Sequence, residues 1–362
     1  ISVIELVRRG FAVFIQDCRG NGQSGGINTP FKHERDDGYD TVKWVYEQPW
    51  CNGRIGMIGQ SYFGYTQLAA ASLSPPGLVA IAPGEVCSEF LPTAPAGVFG
   101  AWTSVRWYCD RVIDCTVRSD LPEDEKKRIV DMYTYWRNNR KEQCWHVPLD
   151  EAPFMKVEGL PVKNFYKEWL DNIGNRDYWV GAGEQLGVDK IKVPCHFFTS
   201  WFDFMARGTI RNFEKLTHNS KTPENEREHR LVIGPWTHYS FEDHQGDISF
   251  GPAADIRVVA ESWYNWLENQ VKGEKSVSTG APVKIFVMGE NVWRDEQEWP
   301  LSRTVYRKLY LDSDGDCRLK NGGGRLRFEE PEGAEFDSYV YDPNNPFDGT
   351  GYSAEFGGLR DR

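Results

Sequence analysis

A chain of 362 residues exceeds the usual size of one domain and suits two or three. Its 42 lysines and arginines stand against 53 acids, and a net charge of −11 argues against nucleic acid as a partner. No apolar run reaches the ~18 residues that span a bilayer, and residues 1–10 carry a glutamate and two arginines where a signal peptide has its apolar core, which points to the cytoplasm.

Residues 11–17 read as an apolar strand. The run Gly20-Asn21-Gly22-Gln23-Ser24-Gly25 after it matches G-x-G-x-x-G, the dinucleotide fingerprint. Asp17-Cys18-Arg19 intervenes, however, and Asn28-Thr29-Pro30 stands where a helix would have to start, so a surface loop is the better account. Residues 34–48 form the first clear helix, with acids in its opening turn, Tyr39, Val42, Val45 and Tyr46 on one face, and Pro49 at its end.

Residues 54–64, Arg-Ile-Gly-Met-Ile-Gly-Gln-Ser-Tyr-Phe-Gly, carry the most information. Ile55, Met57 and Ile58 make a short buried strand, residues 62–71 read as a helix, and Ser61 lies on the turn between them, flanked by Gly59 and Gly64. A serine on so sharp a turn is forced into a strained backbone conformation, and small neighbours are needed where the helix doubles back on the strand. The spacing departs from G-x-S-x-G, because Phe63 holds the place of the second glycine.

A strand over 79–83 follows, and from about residue 86 the pattern changes to proline- and aromatic-rich helical segments, the clearest being 123–145 with Ile129, Met132, Tyr133 and Trp136 along one face. The strand–helix alternation resumes at 193. An apolar strand within 195–203 ends at Asp203, another beginning at Leu231 is followed by a turn and His238, and a helix over 254–272 leads to a last strand at 283–288. Alternating strands and helices imply a parallel sheet. Asp203 and His238 both fall just past C-terminal strand ends, where open α/β sheets place their sites, and the chain order Ser, Asp, His is that of the α/β-hydrolases. His33, His146, His196, His218, His229 and His244 show no metal-ligand spacing, and only His244 rivals His238 as the base.

After Trp299-Pro300 short strands such as 306–311 and 338–341 alternate with glycine- and proline-rich turns, which resembles the start of a β-sandwich. Asp312-Ser313-Asp314-Gly315-Asp316 imitates the opening of an EF-hand loop, but Cys317 and Gly323 stand where glycine and glutamate are required, and a hairpin turn is the better reading. Eight cysteines lie without a C-x-x-C pair, so no zinc site is indicated and no metal or cofactor is expected. Cys109 and Cys115 would pair only in an exported protein.

Together the runs 10–20 and 47–57, the Gly59-Gln60-Ser61-Tyr62-Phe63-Gly64 turn, Trp201-Phe202-Asp203 and Gly234-Pro235-Trp236-Thr237-His238 resemble, in order and over nearly the whole chain, the cocaine esterase and X-prolyl dipeptidyl-peptidase family of α/β-hydrolases. The turn fits that family's own pattern, so Phe63 ceases to be an anomaly. The resemblance implies a triad of Ser61, Asp203 and His238, a hydrolase domain in two parts (1–85 and 191–299), a helical cap over 86–190, and the start of a jelly roll over 300–362. It also implies three sheet strands ahead of residue 1, so that the chain is expected to be a piece of a longer protein. In the family a tyrosine hydroxyl from an N-terminal loop supplies one oxyanion donor, and nothing here matches it. The backbone N–H of Tyr62 is the expected other donor.

The expected activity is hydrolysis of a small carboxylic ester, or of an amide, through an acyl-enzyme, with Phe99, Trp102, Phe204 and Met205 lining the acyl pocket. The related α-amino-acid ester hydrolases carry carboxylates just after the triad aspartate, whereas Phe204, Met205 and Ala206 stand here. X-prolyl dipeptidyl-peptidase activity would need an acidic amine anchor, for which Glu85 and Glu89 are the nearby candidates. Arg207 leaves open a carboxylate-bearing acyl chain, as taken by β-lactam acylases of the glutaryl type. A hydrolase scaffold serving only as a binding module is the rival from another class, disfavoured because all three triad members are present. A membrane partner is not expected, and a homodimer is left open.

Overall fold

A computed structural model describes the chain apart from residues 1, 89–98, 161, 176–177, 179–186, 220–227, 274–277, 315–316, 318–321, 334–335 and 343–362. Glu89 therefore lies outside the described residues.

After a short helix α1 (Val3–Arg8), the acidic start of α2 (Glu34–Tyr46) and its buried Val42 and Val45 follow the sequence pattern, whereas Tyr46 of the expected apolar face is exposed. β1 (Ile55–Gln60) runs into α3 (Tyr62–Ala71) and then β2 (Leu78–Gly84). Helices α4 (Ala101–Arg118), α5 (Glu123–Asn138), α6 (Arg140–Cys144) and α7 (Phe165–Asp171) are inserted before β3 (His196–Ser200). α8 (Ala206–Asn219), β4 (Arg230–Gly234), the two-residue strands β5 (His244–Gln245) and β6 (Ile248–Ser249), and α9 (Arg257–Lys272) come next. β7 (Val283–Val287) and β8 (Val292–Glu296) complete the main sheet, and β9 (Tyr310–Asp312) pairs with β10 (Arg325–Arg327) in a separate ribbon.

The sheet order is β1-β2-β3-β4-β7-β8, parallel throughout except for the final β7–β8 pair. Side chains alternate between its faces. Ile81, Phe197, Leu231, Ile233 and Ile285 join one cluster with Leu68 of α3 and Phe213 of α8. Ala80 and Ala82 turn the other way, onto Trp263, Trp266 and Leu267 of α9. Covered on both faces, β3 is buried at every residue, which is why parallel strands read as unbroken apolar runs. Gly38 lets α2 lie close on α3, since a Cβ there would come within 2.8 Å of the Ala70 Cβ.

The inserted helices pack their aromatic residues together: Tyr108, Tyr133, Phe154, Phe165, Tyr166 and Trp169 are all fully buried. This cluster is continuous with the sheet side of the molecule, because Trp107 lies 5.5 Å from both Phe31 and Tyr62, ring centre to ring centre. Aromatic pairs at such spacing are worth about 0.5–1.5 kcal/mol each beyond their area burial.

Several expectations need correction. Residues 11–17 make no ladder with another strand among the described residues. Phe11 and Val13 pack beside α9, Phe14 and Ile15 are exposed, and β1 is the edge of the sheet. Residues 338–341 likewise form no ladder among the described residues, and of the expected strand at 306–311 only its end remains, within β9. The helix expected over 123–145 breaks at Asn139 (φ −107°, ψ 40°), whose side-chain amide donates to the Tyr135 carbonyl and competes with continuation of the helix. β8, which follows β7 through a tight turn, was not anticipated.

One other reading agrees with the structure: the glycine-rich stretch at 20–25 is a loop folded over Asp17, whose carboxylate accepts the Gln23 N–H at 3.0 Å. Asp312 and Asp314 pair with Arg325 and Arg327 of the β9–β10 ribbon, while Gly315 and Asp316 of the expected hairpin turn lie outside the described residues. No disulfide joins the cysteines among the described residues, and no helix among them is long and apolar enough to cross a membrane.

Candidate active site

Ser61 sits between β1 and α3 with φ 57° and ψ −124°, a conformation L-residues rarely adopt. The flanking glycines make that turn sterically feasible. A Cβ on Gly59 would lie 2.5 Å from the Phe63 Cβ, and one on Gly64 would meet the Val86 Cβ at 2.9 Å and the Gly84 carbonyl at 3.0 Å. The Ser61 N–H donates to that same Gly84 carbonyl at 2.9 Å, which ties the turn to the end of β2.

Two neighbouring loops at the strand ends deliver the other groups. Beyond β3, the Trp201 N–H donates to the Gly234 carbonyl at 2.8 Å and the Phe202 N–H to the Trp236 carbonyl at 3.1 Å, so the loops after β3 and β4 are joined backbone to backbone. Trp236 is fully buried, its indole N–H donating to the Ala254 carbonyl, and its ring folds back over Gly234, where a Cβ would stand 2.2 Å from a ring carbon. His238 Nε2 then lies 2.9 Å from Ser61 Oγ, and its Nδ1 lies 3.1 Å from Asp203 Oδ1. Asp203 Oδ1 also accepts the Met205 N–H at 2.8 Å, and the Gln60 side chain donates to the His238 carbonyl at 3.2 Å. The rival His244 is exposed, hydrogen-bonded to Asp243 at 3.0 Å, and that bond raises its pKa above the ordinary value.

Tyr62 is the first residue of α3, so its N–H has no helical carbonyl one turn earlier. Its phenol is buried, donates to the Glu34 carboxylate and accepts the Phe31 N–H at 3.3 Å. Burial, then the Glu34 charge, pushes the phenol well above its ordinary pKa, and burial also raises the Glu34 carboxyl. Sequence reasoning passed over Glu34 as an ordinary helix-start acid, and nothing local distinguishes it from its exposed neighbours.

Of the expected acyl-pocket residues, Phe204 is half exposed, with its ring 4.7 Å from that of His238, and Met205 is partly buried beside it. Phe99 packs on Tyr166 at 5.4 Å, and Trp102 lies under the Arg140 guanidinium at 4.3 Å. Neither is in ring or hydrogen-bond contact with Ser61, Asp203 or His238 among the described residues. Arg207 is exposed.

Glu85 is not where an amine anchor should be. It is fully buried behind the histidine, Oε2 at 3.4 Å from His238 Nδ1, while Oε1 accepts the Ser200 hydroxyl at 2.6 Å. From the sequence it is only a nearby acid that could anchor a substrate amine; that it directly follows β2 and points behind the histidine emerges only in three dimensions. Ligand atoms of Glu85, Asp203 and His238 lie within 4.8 Å of one another, close enough to hold a metal ion, but the Met205 N–H and the Ser200 hydroxyl already occupy one oxygen of each carboxyl.

A mostly parallel sheet covered on both faces, with a serine at positive φ between a strand and a helix, is the architecture of the α/β-hydrolases. The family model described as X-Pro dipeptidyl-peptidase (S15 family) matches residues 2–240, and that of the X-Pro dipeptidyl-peptidase C-terminal non-catalytic domain matches 276–355. The second match begins ahead of β7, which pairs with β4 in the main sheet. Cocaine esterase of Rhodococcus sp. is 31% identical over 354 residues, covering 95% of this chain and 59% of that protein. An aminopeptidase from a marine sediment archaeon, Thaumarchaeota archaeon, shares the fold with a TM-score of 0.65 at 21% identity, over 91% of this chain and 53% of that one. An α-amino acid ester hydrolase superposes with a TM-score of 0.64 at 18% identity, over 91% and 54%. The chain thus spans little more than half the length of these relatives. It belongs to the X-Pro dipeptidyl-peptidase (S15) family of serine hydrolases, which also takes in cocaine esterase.

Proposed function

We propose that the chain carries the catalytic apparatus of an esterase that acts on neutral carboxylic esters through an acyl-enzyme at Ser61. The observation that carries this reading is the unbroken relay Ser61 Oγ, His238 Nε2, His238 Nδ1 and Asp203 Oδ1, at 2.9 and 3.1 Å, built on a strained turn. His238 takes the proton from Ser61 as the hydroxyl attacks the carbonyl carbon and returns it to the leaving alcohol. Water then repeats the sequence to release the acid. Asp203 holds the imidazole with Nδ1 protonated, and the Tyr62 N–H faces the oxyanion.

The half-exposed Phe204 ring against His238 supports an apolar acyl group. A peptidase reading, which the family's name invites, needs an acid facing the substrate's amine, and Glu85 is buried on the far side of the histidine. The non-catalytic reading leaves the strained serine and its histidine contact without a purpose. Labelling by a fluorophosphonate probe, followed by turnover of aryl, alkyl, aminoacyl and X-Pro substrates, tests the proposal. Labelling that persists in Ser61→Ala, or a preference for X-Pro amides over neutral esters, would overturn it.

A further inference from the structure

Two carboxyl groups face one histidine nitrogen. Asp203 Oδ1 and Glu85 Oε2 lie 3.1 and 3.4 Å from His238 Nδ1, and both acids are sealed from solvent. Nδ1 carries one hydrogen, and Asp203 is the nearer acceptor. The remaining polar atoms can be counted. Asp203 Oδ1 accepts from Met205 N–H and from His238, and Glu85 Oε1 accepts the Ser200 hydroxyl. What is left is Asp203 Oδ2 and Glu85 Oε2, two buried oxygens without a hydrogen-bond partner. Ligand atoms of the two acids lie within 4.8 Å of each other, and two bare carboxylates that near in a buried pocket are mutually repulsive, whereas one proton shared between them satisfies both.

We propose that Glu85 is a positioning residue for the catalytic histidine, a neutral carboxylic acid that donates its Oε2 proton to Asp203 Oδ2 and leaves the pair with a single negative charge. Its surroundings fit that state. Among the described residues no lysine or arginine pairs with either acid. His238, with the Phe204 ring against it, the Ser200 hydroxyl from the end of β3 and the Met205 N–H contact the pair, and Thr209 of α8 accepts the N–H of Val86, the residue after Glu85. Burial first, and the Asp203 charge second, hold the Glu85 carboxyl well above the usual carboxylate range. The backbone at Glu85 is itself unusual, with φ 44° directly after β2, and its N–H donates to the Phe198 carbonyl at 2.8 Å. A strained residue held by its neighbours at a sheet edge is where function is often found. Donation from Glu85 would lock the second Asp203 oxygen, so that the carboxylate cannot rotate away from Nδ1 as the imidazolium forms.

This inference rests on the Ser61–His238–Asp203 reading, which the Ser61→Ala labelling tests by itself. Glu85 is tested separately by infrared spectroscopy at neutral pH, comparing the wild type with Glu85→Gln. A protonated-carboxyl carbonyl band that moves in D2O and is missing from E85Q is expected, and no such band in the wild type would overturn the proposal. Kinetics on p-nitrophenyl butyrate supply the second arm. Glu85→Leu, which leaves Asp203 Oδ2 without a donor, should lower kcat/KM about 10- to 100-fold. Glu85→Gln, whose amide can both donate to Asp203 and accept from Ser200, should recover most of that loss with the acid limb of the pH profile unmoved. If Glu85 were instead ionised, E85Q would delete a charge beside the imidazole and move the acid limb down by about a pH unit or more. Wild-type turnover in E85L would equally reject a positioning role.

Discussion

Among individual residues, the division of labour at Ser61 and His238 makes the sharpest demands. Ser61→Ala removes one hydroxyl and almost no packing, so kcat should drop on the order of 10⁴–10⁶ while the melting temperature holds. His238→Gln should cost nearly as much. His244→Gln, on an exposed side chain paired with Asp243 and Glu242, should change turnover by less than about twofold. A reversal between the two histidine variants would displace His238 as the base. Phe204 sets a third expectation: with no charge to meet an ammonium, the enzyme should favour the des-amino analogue over phenylglycine methyl ester, because burying that cation unpaired costs several kcal/mol. The opposite ratio of kcat/KM would reject the apolar acyl pocket.

At the level of elements, the turn from β1 to α3 is the feature on which the site depends. Both glycines were legible from the sequence, and the contacts of Gly64 explain why: its neighbours are the Val86 side chain and the Gly84 carbonyl that also receives the Ser61 N–H. Gly64→Ala should therefore push α3 off the end of β2 and destabilise the fold by about 1–3 kcal/mol. Moving the nucleophile by even an ångström costs about 10²-fold in rate, so activity measured per labelled serine should fall further than folded protein does. Equal activity per labelled site would mean the turn absorbs the methyl group. The elements that sequence reading missed share a cause. The hydrophobic pattern of 11–17 and of 338–341 is that of strands, but a strand exists only with a partner, and pairing is not a local property. The break at Asn139 depends on one side chain choosing a backbone carbonyl over solvent.

Over the whole molecule, buried titrating groups set how stability changes with pH. His196, packed against Trp266, and His229, whose Nδ1 accepts the Cys195 N–H, are held neutral by burial, with pKa values lowered to about 3 and about 4. Below the ordinary 6.5 the unfolded chain protonates both rings while the folded chain does not, so stability falls as pH falls through that range. Glu85 acts in the opposite sense. Folded, it keeps its proton; unfolded, it releases it above about 4.5, so its contribution declines as pH rises. Each group is worth about 1.4 kcal/mol per pH unit while its protonation differs between the two states. Between about pH 5 and 6 the wild-type unfolding free energy should thus rise with pH, and in Glu85→Gln it should rise more steeply by about 1.4 kcal/mol per unit. Parallel denaturation curves for the two proteins would show that Glu85 is ionised when folded.

By itself the sequence determined the βα alternation, the serine turn, the order Ser, Asp, His and the arrival of Asp203 and His238 at strand ends, because each of these is written in local periodicity and in glycines that only one backbone path requires. Tertiary structure alone decided which of two acids reaches His238 from the front and which from behind. Glu85 and Asp203 are 118 residues apart, both follow apolar strands, and no spacing separates their roles. The difference arises when β2 and β3 pair in parallel and the Glu85 N–H bonds to Phe198, which turns that carboxyl inward to a site water does not reach.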